Sequence, residues 1–418
     1  MRTDPDRGSW RRPASEAPLR RPPSPFSRLA TAHALAVAGD ALVTTALAGS
    51  LFFDISPTAA RGRVALSLLL TIAPFAVVAP FLGPVIDRVR GGRRLMVFLA
   101  AAGRGVTAWL MARVLDGLLL FPATFVLLVL SKTHSVAKSS LVPTVVRSED
   151  EFVRANSKLA LGSAVMGLVA AVPAVTVLKL AGAEWVVRLA AMVFAAAAIA
   201  SLRIVQVRPD DPATRDLARE ELRDAGIRLA AVCMGVLRGS VGFLTFLVAF
   251  TLRREEAPSW RFGAALAASM GATVVGAAVA PRLRRWVVEE RLIAGSLGLV
   301  VVAGLGAWQL GGFLGDLLLA AAMGAAASAG KLAFDSLVQR DAPDATQGRS
   351  FARYEALFQL AWVVGGLVPV VAAVPRLLGY ALLIGGAAAA MVTYLSGLRR
   401  AQRAPRATPA PEARGGEP

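Results

Sequence analysis

Twelve apolar blocks of about 20 residues each, separated by polar turns, constrain this chain more than any other feature. The first half carries them near 29–53, 64–86, 95–114, 117–137, 159–178 and 183–202. The second carries them near 227–252, 262–281, 292–309, 313–333, 356–374 and 377–397. At about 1.5 Å of rise per residue, a helix of this length crosses a hydrocarbon core of about 30 Å. Inside that core every backbone N–H and C=O must be satisfied within the protein, so a spanning segment is a helix or part of a closed barrel. These blocks are continuous runs rich in Ala, Leu, Val and Gly, without the two-residue alternation of a barrel strand, and they predict helices. The chain is 56% hydrophobic and 18% charged, more apolar and less charged than a soluble domain.

The net charge of +18 would suit a nucleic-acid partner in a soluble protein. In a membrane protein, basic residues collect in the cytoplasmic loops instead, and no nucleic-acid partner is expected. With both termini in the cytoplasm, the tails, the linker and the even-numbered turns hold roughly 35 Lys and Arg, and the odd-numbered turns about 8. A multi-pass plasma-membrane protein with both termini cytoplasmic follows as the expectation. Residues 1–27 read as a disordered basic tail without the apolar stretch of a cleaved signal. Residues 28–202 read as an N-terminal six-helix bundle, 203–226 as a cytoplasmic linker, 227–398 as a C-terminal six-helix bundle and 399–418 as a second disordered tail.

The two halves repeat. Phe152-Val-Arg154 and Phe351-Ala-Arg353 lie 199 residues apart, as do Gly167 and Gly366. Pro84 and Pro281 are separated by 197, Arg94 and Arg291 by the same interval, and Asp40 and Arg238 by 198. Landmarks agreeing within two residues indicate a duplication, and two parallel six-helix halves about an axis along the membrane normal are a transporter design.

The stretch after the second block reads Gly83-Pro-Val-Ile-Asp87-Arg88-Val-Arg90-Gly91-Gly92-Arg93-Arg94. It resembles the signature between helices two and three of the major facilitator superfamily, through Gly83, Asp87, Arg88, Gly92, Arg93 and Arg94, with one apparent extra residue after Arg88. A degenerate second copy, Ala280-Pro281-Arg282-Leu283-Arg284-Arg285, lacks the acid. The resemblance spans about residues 28–398 and implies an all-α fold of twelve transmembrane helices in two pseudo-symmetric bundles. It also implies a gating loop in which Asp87 pairs with the other half in one conformational state only. The Gly39-Asp40 pair in the first block resembles the drug and macrolide efflux branch of that superfamily. Exporters there show Gly-Pro-x-x-Gly-Gly in the fifth helix, whereas this chain has Gly162-Ser-Ala-Val-Met-Gly167 with no proline following the second glycine, which supports transport more than export.

Ionisable residues inside a span are costly and mark functional sites. Asp40 lies near the middle of the first block, Arg104 of the third and Arg238 of the seventh. Asp40 is thus a candidate proton carrier or substrate counter-ion, paired either with Arg238 across a central cavity or with Arg104 inside its own half. Arginine keeps its proton at working pH, so Asp40 is the titrating member. Two arginines to one aspartate also admit an anionic or zwitterionic solute. Phe243, Phe246, Phe358 and Trp362 are candidates for cavity lining. Glu355 and Asn156, which begin the eleventh and fifth helices at the cytoplasmic side, are further candidates, although an acid there also suits the helix dipole, and Asp316 is expected at the outer interface.

Other chemistries are excluded. Cys233 is the single cysteine and His33 and His134 the only histidines, without the spacing of a zinc site, so neither metal nor cofactor is expected. Gly324 to Lys331 imitates a phosphate loop with the wrong spacing, inside an apolar block, and no hydrolase elbow occurs. The expectation is therefore a monomeric secondary transporter, not an enzyme, that moves a small-molecule substrate through the bilayer by proton-coupled efflux. The alternatives are a facilitator, an importer, a lipid-moving protein or a non-transporting receptor on the same fold.

Overall fold

In a computed structural model of the chain, the structure describes residues 24–51, 92–115, 119–146, 148, 151–205, 217–342 and 347–403. They form eleven helices: α1 (Pro25–Leu51), α2 (Gly92–Met111), α3 (Leu120–Val145), α4 (Phe152–Ala181), α5 (Ala183–Leu202), α6 (Leu217–Arg254), α7 (Ser259–Leu283), α8 (Glu289–Leu310), α9 (Gly312–Asp341), α10 (Gln347–Val371) and α11 (Arg376–Arg403). All eleven contain a segment long and apolar enough to cross a membrane. They match the expected spans one and three to twelve; the second, near 64–86, lies outside the described residues. Helix α6 begins at Leu217, inside the stretch expected to be linker, and α11 continues to Arg403, beyond the expected boundary of the C-terminal bundle.

The duplication is visible in the packing. In the first half α1 packs on α4 and α5, and α2 on α3 and α5. In the second half α6 packs on α10 and α11, and α8 on α9 and α11, so each contact recurs between corresponding helices. Small residues permit it. A Cβ on Gly365 of α10 would stand 2.0 Å from the carbonyl oxygen of Gly239 on α6, so these two backbones touch directly.

The halves meet through α3 and α4 on one side and α7, α9 and α10 on the other. The polar contacts lie at the basal end of the bundle, where α1 begins and α11 finishes. There the Ser157 hydroxyl donates to the Ala277 carbonyl at 2.5 Å, and Asn156 Nδ2 donates to Gln339 Oε1 at 2.7 Å. Gln339 Nε2 donates in turn to the Ser139 carbonyl at 3.0 Å. Val153, Ala277, Ala280 and Leu332 form an apolar plug beside them. Asn156, a candidate from sequence at the start of its helix, is buried in this seam. At the opposite end of the second half, Asp316 is 1% exposed, accepting from the Tyr380 hydroxyl at 2.7 Å and pairing with Arg376 at 3.1 Å.

Candidate functional site

Asp40 sits midway along α1 and faces α2. Arg104 Nη1 lies 3.0 Å from both of its carboxylate oxygens, and the Ser131 hydroxyl on α3 donates to Oδ2 at 3.3 Å. Of the two arginines at similar depth, Arg104 is therefore the partner. Its side chain is fully buried while that of Asp40 remains 40% exposed. Phe194 of α5 supports the pair, with its ring 4.7 Å from the Arg104 guanidinium carbon in cation–π geometry. Gly39 makes room for that ring, and Arg104 Nε donates to the Ala100 carbonyl at 3.1 Å. The acid is thus held by a rigid, buried cation, yet one side of it stays open to exchange.

Two turns below Asp40 on α1, the chain's only histidines meet. His33 Nδ1 and His134 Nε2 are 3.2 Å apart with stacked rings, and Ser163 Oγ lies 2.9 Å from His33 Nε2. Ser163 Oγ also lies 2.8 Å from the Leu159 carbonyl, and His134 Nδ1 is buried without a hydrogen-bond partner. Among the described residues no group of three potential metal ligands occurs.

Arg238 belongs to a second set of charges. Lys331 of α9 pairs with Asp335 at 2.5 Å and with Glu355 of α10 at 3.4 Å. Arg238 acts electrostatically on both Lys331 and Glu355, and Lys138 of α3 on Asp335 from the other half. Lys132 of α3 acts electrostatically on both Glu355 and Asp40. Together the sets hold five cations (Arg104, Lys132, Lys138, Arg238, Lys331) and three anions (Asp40, Asp335, Glu355) within the spans.

Sequence reasoning missed Lys132, Lys138, Lys331 and Asp335, and assigned Glu355 to the helix dipole, whereas it pairs with Lys331. The available signal was Lys331 and Asp335 one turn apart in a helix that runs on to Asp341. Two of the four aromatic candidates do not line a cavity: Phe358 and Phe243 are core residues, 2% and 7% exposed, Phe358 being packed on Phe334. Phe246 and Trp362 are partly buried in an edge-to-face pair at 6.1 Å. In the signature loop, Gly83, Asp87 and Arg88 lie outside the described residues. Gly92, Arg93 and Arg94 open α2; Gly92 and Arg93 are buried, and Arg94 Nη1 donates to the Ile204 carbonyl at 3.3 Å.

The sequence profile of the Major Facilitator Superfamily matches residues 29–366. An uncharacterized protein of Mycobacterium leprae is 30% identical over 402 residues, covering 85% of this chain and 69% of that one. Another from Mycobacterium tuberculosis is 32% identical over 401 residues, covering 85% and 71%. Among solved structures, a bacterial homologue of the iron transporter ferroportin in the outward-facing state aligns with a TM-score of 0.66 at 17% identity, covering 90% of this chain and 99% of that one. The transporter FucP in the outward conformation aligns with a TM-score of 0.65 at 13% identity, covering 90% and 98%. The human organic anion transporter MFSD10 aligns with a TM-score of 0.59 at 16% identity, covering 91% and 99%. With its profile matched over most of its length and its helices arranged in that fold, the chain is a multi-pass membrane protein belonging to the Major Facilitator Superfamily.

Proposed function

We propose that the chain is a proton-coupled secondary transporter that moves a small solute across the plasma membrane by alternating access, with Asp40 as the proton site. The observation that carries this reading is the Asp40–Arg104 pair, in which a titratable acid with one open side is held by a fully buried cation. Protonating Asp40 neutralises the acid while Arg104 keeps its charge, so the proton changes the field at the floor of the transport path without moving the backbone. Both charge sets come from one chain, and a monomer suffices. The basic bias of the tails supports a cytoplasmic basal end, which makes the described conformation outward-facing.

Extrusion by antiport, as the Gly39-Asp40 resemblance implies, requires that solute and proton compete for Asp40. The excess of cations over anions favours a second reading, in which an anionic solute pairs with the cations that protonation of Asp40 releases. In that case proton and solute load together, as in symport. Purified protein in proteoliposomes under an imposed pH gradient, with solutes chosen by thermal-shift screening, distinguishes them. Acidifying the solute-binding side weakens binding in the first reading and strengthens it in the second. In either case Asp40→Asn abolishes gradient-driven flux while leaving solute exchange across the membrane. Flux that still follows the gradient in this variant removes Asp40 as the proton site.

A further inference from the structure

A cleft of about 590 Å³ opens at the basal end between α4 of the first half and α7 of the second. Arg154 and Lys158 line it from α4, and Arg282, Arg284 and Arg285 from the α7 side, against one acid, Glu151. The arginines facing α4 are those of the degenerate signature copy, whose sequence lacks the acid present in the first copy. Arg284 is committed to Glu289 at 2.7 Å. Lys158 rests 5.9 Å from the ring of Phe26, and Arg282 Nη1 donates to the Ala278 carbonyl at 3.0 Å. Among the described residues, neither Arg154 nor Arg285 has a carboxylate partner.

Topology requires basic residues at this end, but not that cations from opposite halves face each other across a cleft. They do so because Ser157 is bonded to Ala277 at its inner wall, a contact made where the basal end is closed. Closure therefore concentrates like charge, which an anion on the open side relieves. The surface beyond the cations indicates what kind of anion. Along α4, Arg154 and Lys158 continue at helical spacing into Leu161, Val165, Leu168 and Val172, the last three being 58%, 74% and 70% exposed. Trp286, 87% exposed, directly follows Arg285 of the cleft, and an indole suits the headgroup layer.

We propose that this cleft binds the phosphate headgroup of an anionic phospholipid, with an acyl chain along the α4 stripe, and that the lipid stabilises the conformation closed at the basal end. The test uses the full chain in nanodiscs of phosphatidylcholine, with or without phosphatidylglycerol, and a third set in phosphatidylcholine with inorganic phosphate. The thermal midpoint reads binding. Spin labels on Arg203→Cys and Arg291→Cys, in a Cys233→Ser background, read the distance between the halves at the basal end. The variant Arg154→Gln/Arg285→Gln is compared with Arg399→Gln/Arg400→Gln, which removes equal charge from exposed positions at the same end. Phosphatidylglycerol is expected to raise the midpoint and about double the closed-to-open ratio in the unmodified and control chains, and to do neither in the cleft variant. An equal response in all three chains overturns the site as mere surface attraction. A response to inorganic phosphate alone overturns the lipid assignment, and no response in the unmodified chain overturns both. If the cleft variant does not fold, Lys158→Gln/Arg282→Gln serves in its place.

Discussion

Gly39 and Phe194 set the environment of the Asp40–Arg104 pair at contact distance. A Cβ on Gly39 would lie 2.5 to 2.8 Å from three ring carbons of Phe194, and that ring is held against the guanidinium of Arg104. Gly39→Ala is therefore an overpacking change, expected to cost about 1–3 kcal/mol and to lower the thermal midpoint in detergent. Phe194→Leu in the same chain restores part of the loss by vacating the space; a midpoint unchanged by Gly39→Ala alone would show that the ring yields. Asp40→Asn acts differently, because it keeps the shape and removes the counter-charge of a buried arginine. Loss of one partner costs about 3–5 kcal/mol in a fully buried pair, and less here because Asp40 is 40% exposed. This variant should fold and fail to couple, so its stability and its flux are measured together.

Between elements, contact is decided by what small residues leave out. Helices α6 and α10 approach until a Cβ on Gly365 would stand 2.0 Å from the Gly239 carbonyl oxygen, and one on Gly242 equally close to that of Trp362. A flexible side chain can swing aside, but backbone cannot, so Gly365→Ala must push the helices apart. We expect a loss of about 3 kcal/mol, seen as a lower thermal midpoint. An unchanged midpoint would mean that α6 and α10 slide past each other at little cost. The same pair of helices carries Arg238 and Glu355, and Glu355 pairs with Lys331 of α9 at 3.4 Å. A helix-dipole reading of Glu355 could not see this, because it considers one helix at a time.

At the scale of the molecule, the two halves meet among the described residues over a basal seam, and that seam is what must break for the path to open to the other side. Its polar part among the described residues includes Asn156 with Gln339 and Ser336, Gln339 with the Ser139 carbonyl, and Ser157 with Ala277. A net hydrogen bond contributes about 1 kcal/mol and Gln339 makes two across the seam, so Gln339→Ala should favour opening about thirtyfold. The measurement is the labelling rate of Ala160→Cys by a membrane-impermeant thiol reagent from the basal side, with buried Cys233 as a quiet background. Equal rates with and without Gln339→Ala would mean that the apolar plug alone holds the seam.

The spans, the two halves and the depth of Asp40, Arg104 and Arg238 can be read along the chain, because hydropathy and a rise of about 1.5 Å per residue are local properties. Depth is a single coordinate. Which arginine meets Asp40 depends on how each helix is rotated about its axis, and packing set that rotation, with Phe194 seated on Gly39 turning Asp40 towards Arg104. Lys132, Lys138, Lys331 and Asp335 escaped notice for a related reason. An average over an apolar block blurs its end, and only the continuous helix to Asp341 puts Lys331 well inside a span, where a charge requires the partners that it has.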